Sequence, residues 1–115
     1  MGKVDEKIQK YKKLAVKKPK YYVSIGNIYI EEGAFKAATI YYQKAVDNGV
    51  LAYTVLGDTW GYRSQYKKAF DVYTEGANKG EAECFARLGF CYETGYVKID
   101  IQKAIECYAK ASDLG

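Results

Sequence analysis

Histidine is absent from the 115 residues, and proline occurs once, at Pro19. Without imidazole there is no side chain that titrates unperturbed near neutrality and no histidine metal ligand, which removes much acid-base and zinc chemistry. A single proline leaves no room for a proline-rich linker. The longest apolar runs fall far short of the ~20 residues a spanning helix needs, so no membrane span is expected. Cysteine occurs three times, as Cys84, Cys91 and Cys107: an odd number, without a Cys-x-x-Cys pair and with no cleavable apolar segment ahead of it. That usage reads as a reducing, cytoplasmic setting. Also missing are a Gly-rich phosphate loop, a nucleophile beside a base, and any carboxylate pair that stands out from solvated helix faces such as Glu31-Glu32 or Glu81 and Glu83. The expectation is a protein that is not an enzyme and that needs no cofactor or metal.

What the chain does have is apolar residues, at 49%, enough for the core of one compact domain or short solenoid. Its formal charge of +4 is unevenly placed. Residues 1 to 20 hold eight lysines against Asp5 and Glu6, a net of +6, whereas the remainder has ten basic and twelve acidic side chains, a net of −2. Attraction to nucleic acid or an anionic surface would therefore come from the first segment alone.

Apolar spacing makes that segment a helix. Val4, Ile8, Tyr11 and Ala15 recur at helical steps with lysines on the other faces, predicting an amphipathic helix from about Lys3 to Lys17 whose task is capping. Pro19 interrupts the pattern. From there the chain repeats itself. Gly26, Gly57 and Gly89 correspond, as do Ala38, Ala69 and Ala104; Tyr42, Tyr73 and Tyr108; and Gly49, Gly80 and Gly115. The glycines Gly26, Gly57 and Gly89 follow one another at 31 and 32 residues, the signature of hairpins that bury their apolar faces by stacking. The prediction is an all-α chain, a right-handed α-α superhelix or solenoid of three helical hairpins (about 20–49, 50–80 and 81–115, within 19–115) preceded by one capping helix over 1–18.

The repeated residues have mechanical roles. A glycine inside a helix costs about 1 kcal/mol relative to Ala, so three in phase imply close helix contact, with Ala38, Ala69 and Ala104 offering small side chains to it. Tyr29, Trp60 and Tyr92 are expected between successive hairpins. Tyr29, Tyr42, Tyr73, Tyr92 and Tyr108 are assigned to the core, and Tyr53, Tyr62, Tyr66 and Tyr96 to partly exposed positions. Ala37, Ile40, Tyr41 and Ala45 are expected to form the inward face of their helix. The cysteines occupy slots filled in other repeats mostly by apolar groups and are read as small core residues; a three-thiolate site is the weaker alternative.

On these landmarks the array resembles the tetratricopeptide superfamily, and its third repeat resembles the Sel-like branch through Ala82, Leu88-Gly89, Tyr92, Gly95, Val97, Asp100, Lys103-Ala104, Tyr108, Lys110-Ala111 and Gly115. Two repeats have twelve residues from motif glycine to motif alanine and the third has fifteen. The resemblance implies that the first helix of each hairpin lines a concave groove. It places Val23, Asn27 and Ile30, then Thr54, Asp58 and Gly61, then Ala86, Phe90 and Glu93 on that face, with Arg87 beside them. Asn27 and Arg87 match two positions by which chaperone-binding members grip a peptide carboxylate. Val23 and Glu83 stand where the lysines of that clamp would be, and Val55 replaces an asparagine, so no carboxylate clamp is expected.

The function this implies is a protein-protein interaction scaffold or adaptor, binding an unknown peptide or protein surface through the concave face. Nucleic-acid binding through the Lys-rich helix and exposed tyrosines ranks second, since the repeats themselves are slightly acidic. The last helix carries Ile101, Ile105, Cys107, Tyr108, Ala111 and Leu114, more than one neighbour can cover, which predicts pairing of that end with another copy or with further repeats.

Overall fold

The computed structural model describes residues 2–115, and among them all regular structure is helical. Seven helices follow in order: α1 (Lys3–Ala15), α2 (Tyr21–Glu31), α3 (Phe35–Asp47), α4 (Tyr53–Tyr62), α5 (Tyr66–Asn78), α6 (Ala82–Thr94) and α7 (Ile101–Leu114). They form two compact units, the first ending at Ala52 and the second running from Tyr53 to Gly115.

In the first unit α1 packs on α2, and α2 pairs with α3. Ile8 and Ala15 of the α1 stripe are buried and Tyr11 stacks on Tyr21 at 5.8 Å, while Val4 stays exposed. The helix stops two residues before the predicted Lys17, because the N–H groups of Lys17 and Lys18 both return to the Leu14 carbonyl ahead of Pro19. Ile25 and Ala38 lie at the centre of the α2–α3 interface side chains with no exposure. Ile40 does not join the inward face: it is 53% exposed, whereas Ala38, Thr39 and Tyr42 are buried.

The second unit pairs α4 with α5 and α6 with α7, and α5 packs against α6. Its core holds Leu56, Thr59, Ala69, Cys84, Cys91 and Ala104. The close approach inferred from the motif glycines is real, but the neighbour is a ring and not the motif alanine. A Cβ on Gly57 would overlap the ring of Tyr73, as one on Gly26 would overlap Tyr42, and a Cβ on Gly89 would come within 2.8 Å of Tyr108. Each of these glycines is the seat of the tyrosine one turn beyond the motif alanine.

The end of α5 shows how local chain chemistry sets a long-range contact. Gly80 adopts φ 90°, where a side chain is disfavoured, and the N–H groups of Gly80 and Glu81 close on the carbonyls of Ala77 and Gly76. This stop delivers the Glu81 carboxylate to the N-terminus of α4, where it accepts from the N–H groups of Tyr53 at 3.0 Å and Thr54 at 3.1 Å. Two N–H groups of the first turn of α4 are thereby capped from 28 and 27 residues away. The same packing corrects the expectation for Tyr53, which is 6% exposed and lies over Gly76 beside Cys84.

The turns differ between the two hairpins of this unit. Between α4 and α5 the left-handed position is taken by Ser64, at φ 59°, where the α2–α3 turn has Gly33. The longer α6–α7 turn begins at Gly95, φ 78°, and ends at Asp100, whose side chain accepts from the N–H of Lys103 at 3.1 Å and starts α7. On α7 only Ala104 is buried; Ile101, Ile105 and Leu114 are each at least half exposed.

Candidate functional site

The second unit carries a hollow of about 450 Å³ bordered by α4, α5, α6, the α6–α7 turn and α7. Helix α4 contributes Asp58 and Tyr62, and α6 contributes Ala86, Arg87 and Phe90. Tyr73 of α5, Tyr96 of the turn and Tyr108 of α7 complete it. Residues 58 and 62 are one turn apart, as are 86 or 87 and 90, so each helix presents one face to the space.

Its polar centre is an ion pair. Arg87 donates to Asp58 through Nε at 2.9 Å and Nη2 at 3.3 Å, and Asp58 also accepts from the Tyr73 hydroxyl. Both charged side chains remain partly accessible, at 40% for Arg87 and 21% for Asp58. The hydrogen bond to Asp58 holds the guanidinium above its ordinary range, and burial, reinforced by Asp58, raises the Tyr73 phenol. Neither group changes charge near neutrality, so the hollow keeps a fixed charge pattern. Phe90 meets Tyr96 edge-to-face at 5.6 Å, and Tyr96 in turn lies 4.5 Å from Tyr66. Burial raises the Tyr96 and Tyr108 phenols as well.

The tyrosine hydroxyls follow a rule with one instructive exception. Tyr42 donates to Asn27 at 2.6 Å, and Tyr73 donates to Asp58; both acceptors directly follow the motif glycine. Tyr108 donates instead to Glu93, at 3.2 Å, four residues after its glycine. All three pairs are 15 residues apart. The residue after Gly89 is Phe90, which has no acceptor, and the Tyr108 hydroxyl turns to the carboxylate one helical turn further on.

Comparison with known proteins agrees with this architecture. The model of the Sel1 repeat matches residues 33–50 and 83–115, the latter covering nearly all of α6 and α7. The crystal structure of MamA superposes with a TM-score of 0.68 over 99% of this chain and 75% of that chain, at 24% identity. The third hairpin, and a part of the first, are thus similar to the Sel1 repeat, and the whole chain shares the helical-repeat fold of MamA. At that identity the likeness to MamA is one of fold. No curated protein sequence matches the chain.

The residues assigned to the concave groove separate by unit. Val23, Asn27 and Ile30 lie along α2 in the first unit; Asn27 is exposed and the other two are half-buried. In the second unit Asp58, Ala86, Arg87 and Phe90 come together at the hollow. Glu93 stands at its edge through Tyr108. Gly61 has no side chain to offer, and a Cβ there would make only an ordinary contact, 3.5 Å, with the Tyr96 hydroxyl. Thr54 is a correction. It is 4% exposed, with its hydroxyl 3.3 Å from the Cys84 sulfur, because the first turn of α4 is covered by α6 where Glu81 caps it.

Four lining tyrosines escaped the groove assignment, which considered first helices only. Tyr73 and Tyr108 belong to second helices, and Tyr62 and Tyr96 are outside the repeated positions. Tyr108, assigned to the core, is 38% exposed, in contrast to Tyr42 at 2% and Tyr73 at 4%. The usable signal was the 15-residue interval between each motif tyrosine and a side-chain oxygen.

Cys84 and Cys91 are buried and Cys107 is half-buried. Burial pushes the first two thiols up to about 12, so they are inert core groups at neutral pH. Among the described residues no cluster of three or more potential ligands could hold a metal. The lysines of the first unit that meet tyrosines do so over their ring faces: Lys12 and Lys44 lie 5.7 and 5.8 Å from the centre of Tyr41, and Lys20 lies 5.4 Å from that of Tyr21. No described helix is long and apolar enough to cross a membrane.

Proposed function

We propose that this chain is a non-enzymatic interaction module that binds a segment of a partner protein on the α4–α6 face of its second unit. The observation that carries the reading is the hollow itself, of a volume suited to one or two side chains and walled by aromatic residues around a satisfied ion pair. Tyrosine and phenylalanine supply large, stiff contact area, and the hydroxyls fix orientation, which is the composition of a binding surface. Asp58, Ala86, Arg87, Phe90 and Glu93 are its contact residues, with the backbone of Gly61 beside Tyr96. The nucleic-acid reading stays second, because rings that would stack on bases in the first unit already carry lysine ammonium groups.

Peptides selected from a random display library against the purified chain test this. Binding should fall at least tenfold on Phe90→Ala or Tyr62→Ala and be unchanged on Leu51→Ala, which alters an exposed residue ahead of α4. Selected peptides that bind all of these variants alike would remove the site.

A further inference from the structure

Five of the eight residues lining the hollow are aromatic, and its one cation is already committed. Arg87 directs two of its donors onto both oxygens of Asp58, so its charge is cancelled across a forked contact. Glu83, one turn earlier on α6, bears on the same guanidinium, and Glu93 borders the opposite end through Tyr108. Two carboxylates therefore act on the arginine, and a third stands at the edge of the hollow. The other cations of this unit that have an aromatic partner are held outside the lining: Arg63 and Lys68 against Trp60, and Lys103 against Tyr92. An acidic side chain or a terminal carboxylate would enter a field of its own sign and would have to break the Arg87–Asp58 pair. A purely apolar side chain would leave the negative charge of Glu83 and Glu93 uncompensated.

We propose that the hollow takes a basic side chain of the partner segment, arginine in preference to lysine. This rests on the reading of the hollow as the partner site. The guanidinium plane stacks on the faces of Phe90, Tyr62 or Tyr108, its edge donates to hydroxyl and carboxylate oxygens, and the excess negative charge of Glu83 and Glu93 compensates it. Arginine is preferred because a flat, weakly hydrated cation loses less on leaving water and matches ring faces that an ammonium touches only at a point. Arg63 already shows this geometry within the chain, with its guanidinium carbon 4.5 Å from the centre of the Trp60 ring.

Peptides from the display selection provide the probe. Each is synthesised with its anchor residue as arginine, lysine, citrulline or glutamate, and its affinity for the full chain is measured by titration calorimetry. Replacing arginine by citrulline, which keeps shape and removes charge, should weaken binding about tenfold, and lysine should fall between the two. Glu93→Gln, at an exposed position that leaves the fold intact, should weaken the arginine peptide about threefold and leave the citrulline peptide unchanged. Peptides that depend on Phe90 and Tyr62 yet bind equally well with citrulline would overturn the basic anchor and leave the site standing. Peptides indifferent to both aromatic residues would overturn the site and the anchor together.

Discussion

Tyr73 and Tyr108 hold the same place in successive repeats of one compact unit, yet one is 4% exposed and the other 38%. Both rings rest on the motif glycine of the preceding helix. The difference lies in what comes next. Helix α5 is covered by α6, through Phe70 against the edge of Tyr92 at 5.5 Å and Gly76 against Cys84, whereas the corresponding positions of α7, Ile105 and Ala111, have no described neighbour of that kind. The partner of the hydroxyl differs too: a shared, half-buried aspartate for Tyr73 and an exposed glutamate for Tyr108. A repeat motif thus specifies where a side chain leaves the helix, and the neighbouring repeat specifies whether it becomes core or surface.

The sharpest way to break this comparison is to fill the glycine seats. Gly57→Val should destabilise the chain by about 3 kcal/mol, because the Tyr73 ring is enclosed and cannot yield. Gly89→Val should cost only about 1 kcal/mol, because the Tyr108 ring it displaces can swing into solvent and valine is the better helix former. Guanidinium denaturation midpoints measure both, and equal losses would show that the two tyrosines are equally confined.

Removing the acceptors should give the next largest contrast. Asp58→Ala leaves the buried Tyr73 hydroxyl and Arg87 without their shared partner and should cost about 2 kcal/mol. Glu93→Ala removes an exposed bond of 3.2 Å and should stay within about 0.5 kcal/mol. Thermal unfolding of the two variants side by side would decide whether Asp58 has the structural weight its contacts suggest.

Alkaline pH sharpens the same contrast without mutation. Burial raises the Tyr73 phenol above its ordinary value of 10.0 and the Cys84 and Cys91 thiols from 9.0 to about 12. Each group binds its proton more tightly in the folded chain, so the associated stability is fully present below pH 9 and falls as the unfolded thiols, and then the phenol, ionise. The expected decline, of up to about 1.4 kcal/mol per pH unit for each group, falls between pH 9 and 12 for the thiols and begins at pH 10 for Tyr73. Denaturation curves across that range, with Cys84→Ala as control, test it; a flat profile would contradict the burial of these groups.

The smallest effect should be a gain. Ser64→Gly relieves the left-handed residue of the α4–α5 turn and should stabilise by about 0.5 kcal/mol after the added freedom of the unfolded chain is subtracted. The reverse change in the other turn, Gly95→Ala, should destabilise by more than Ser64→Gly stabilises, since a Cβ there also comes 2.9 Å from Ile99.

Much of the fold was legible in advance because hairpin formation depends on spacings within about 35 residues. The period of the glycines placed the helices, and Gly49 and Gly80 marked two of their ends. The concave-face positions on α4 and α6 also led to Asp58, Ala86, Arg87 and Phe90. Thr54 misled because α4 begins beneath α6, a fact settled by Glu81 and the Gly80 stop, neither of which is near it in the chain. Tyr53 misled for the same reason, being covered at Gly76 and Cys84.

Sequence by itself determined the seven helices and their pairing, since helical periodicity, helix-ending glycines and the 31- and 32-residue repeat are all properties of nearby residues. Tertiary structure alone decided that Arg87 lies on Asp58 across 29 residues, that Glu81 caps α4, and that four tyrosines converge on one hollow. Those contacts join side chains of different hairpins, and their geometry depends on how deeply each repeat seats on the next, which no spacing within a single repeat encodes.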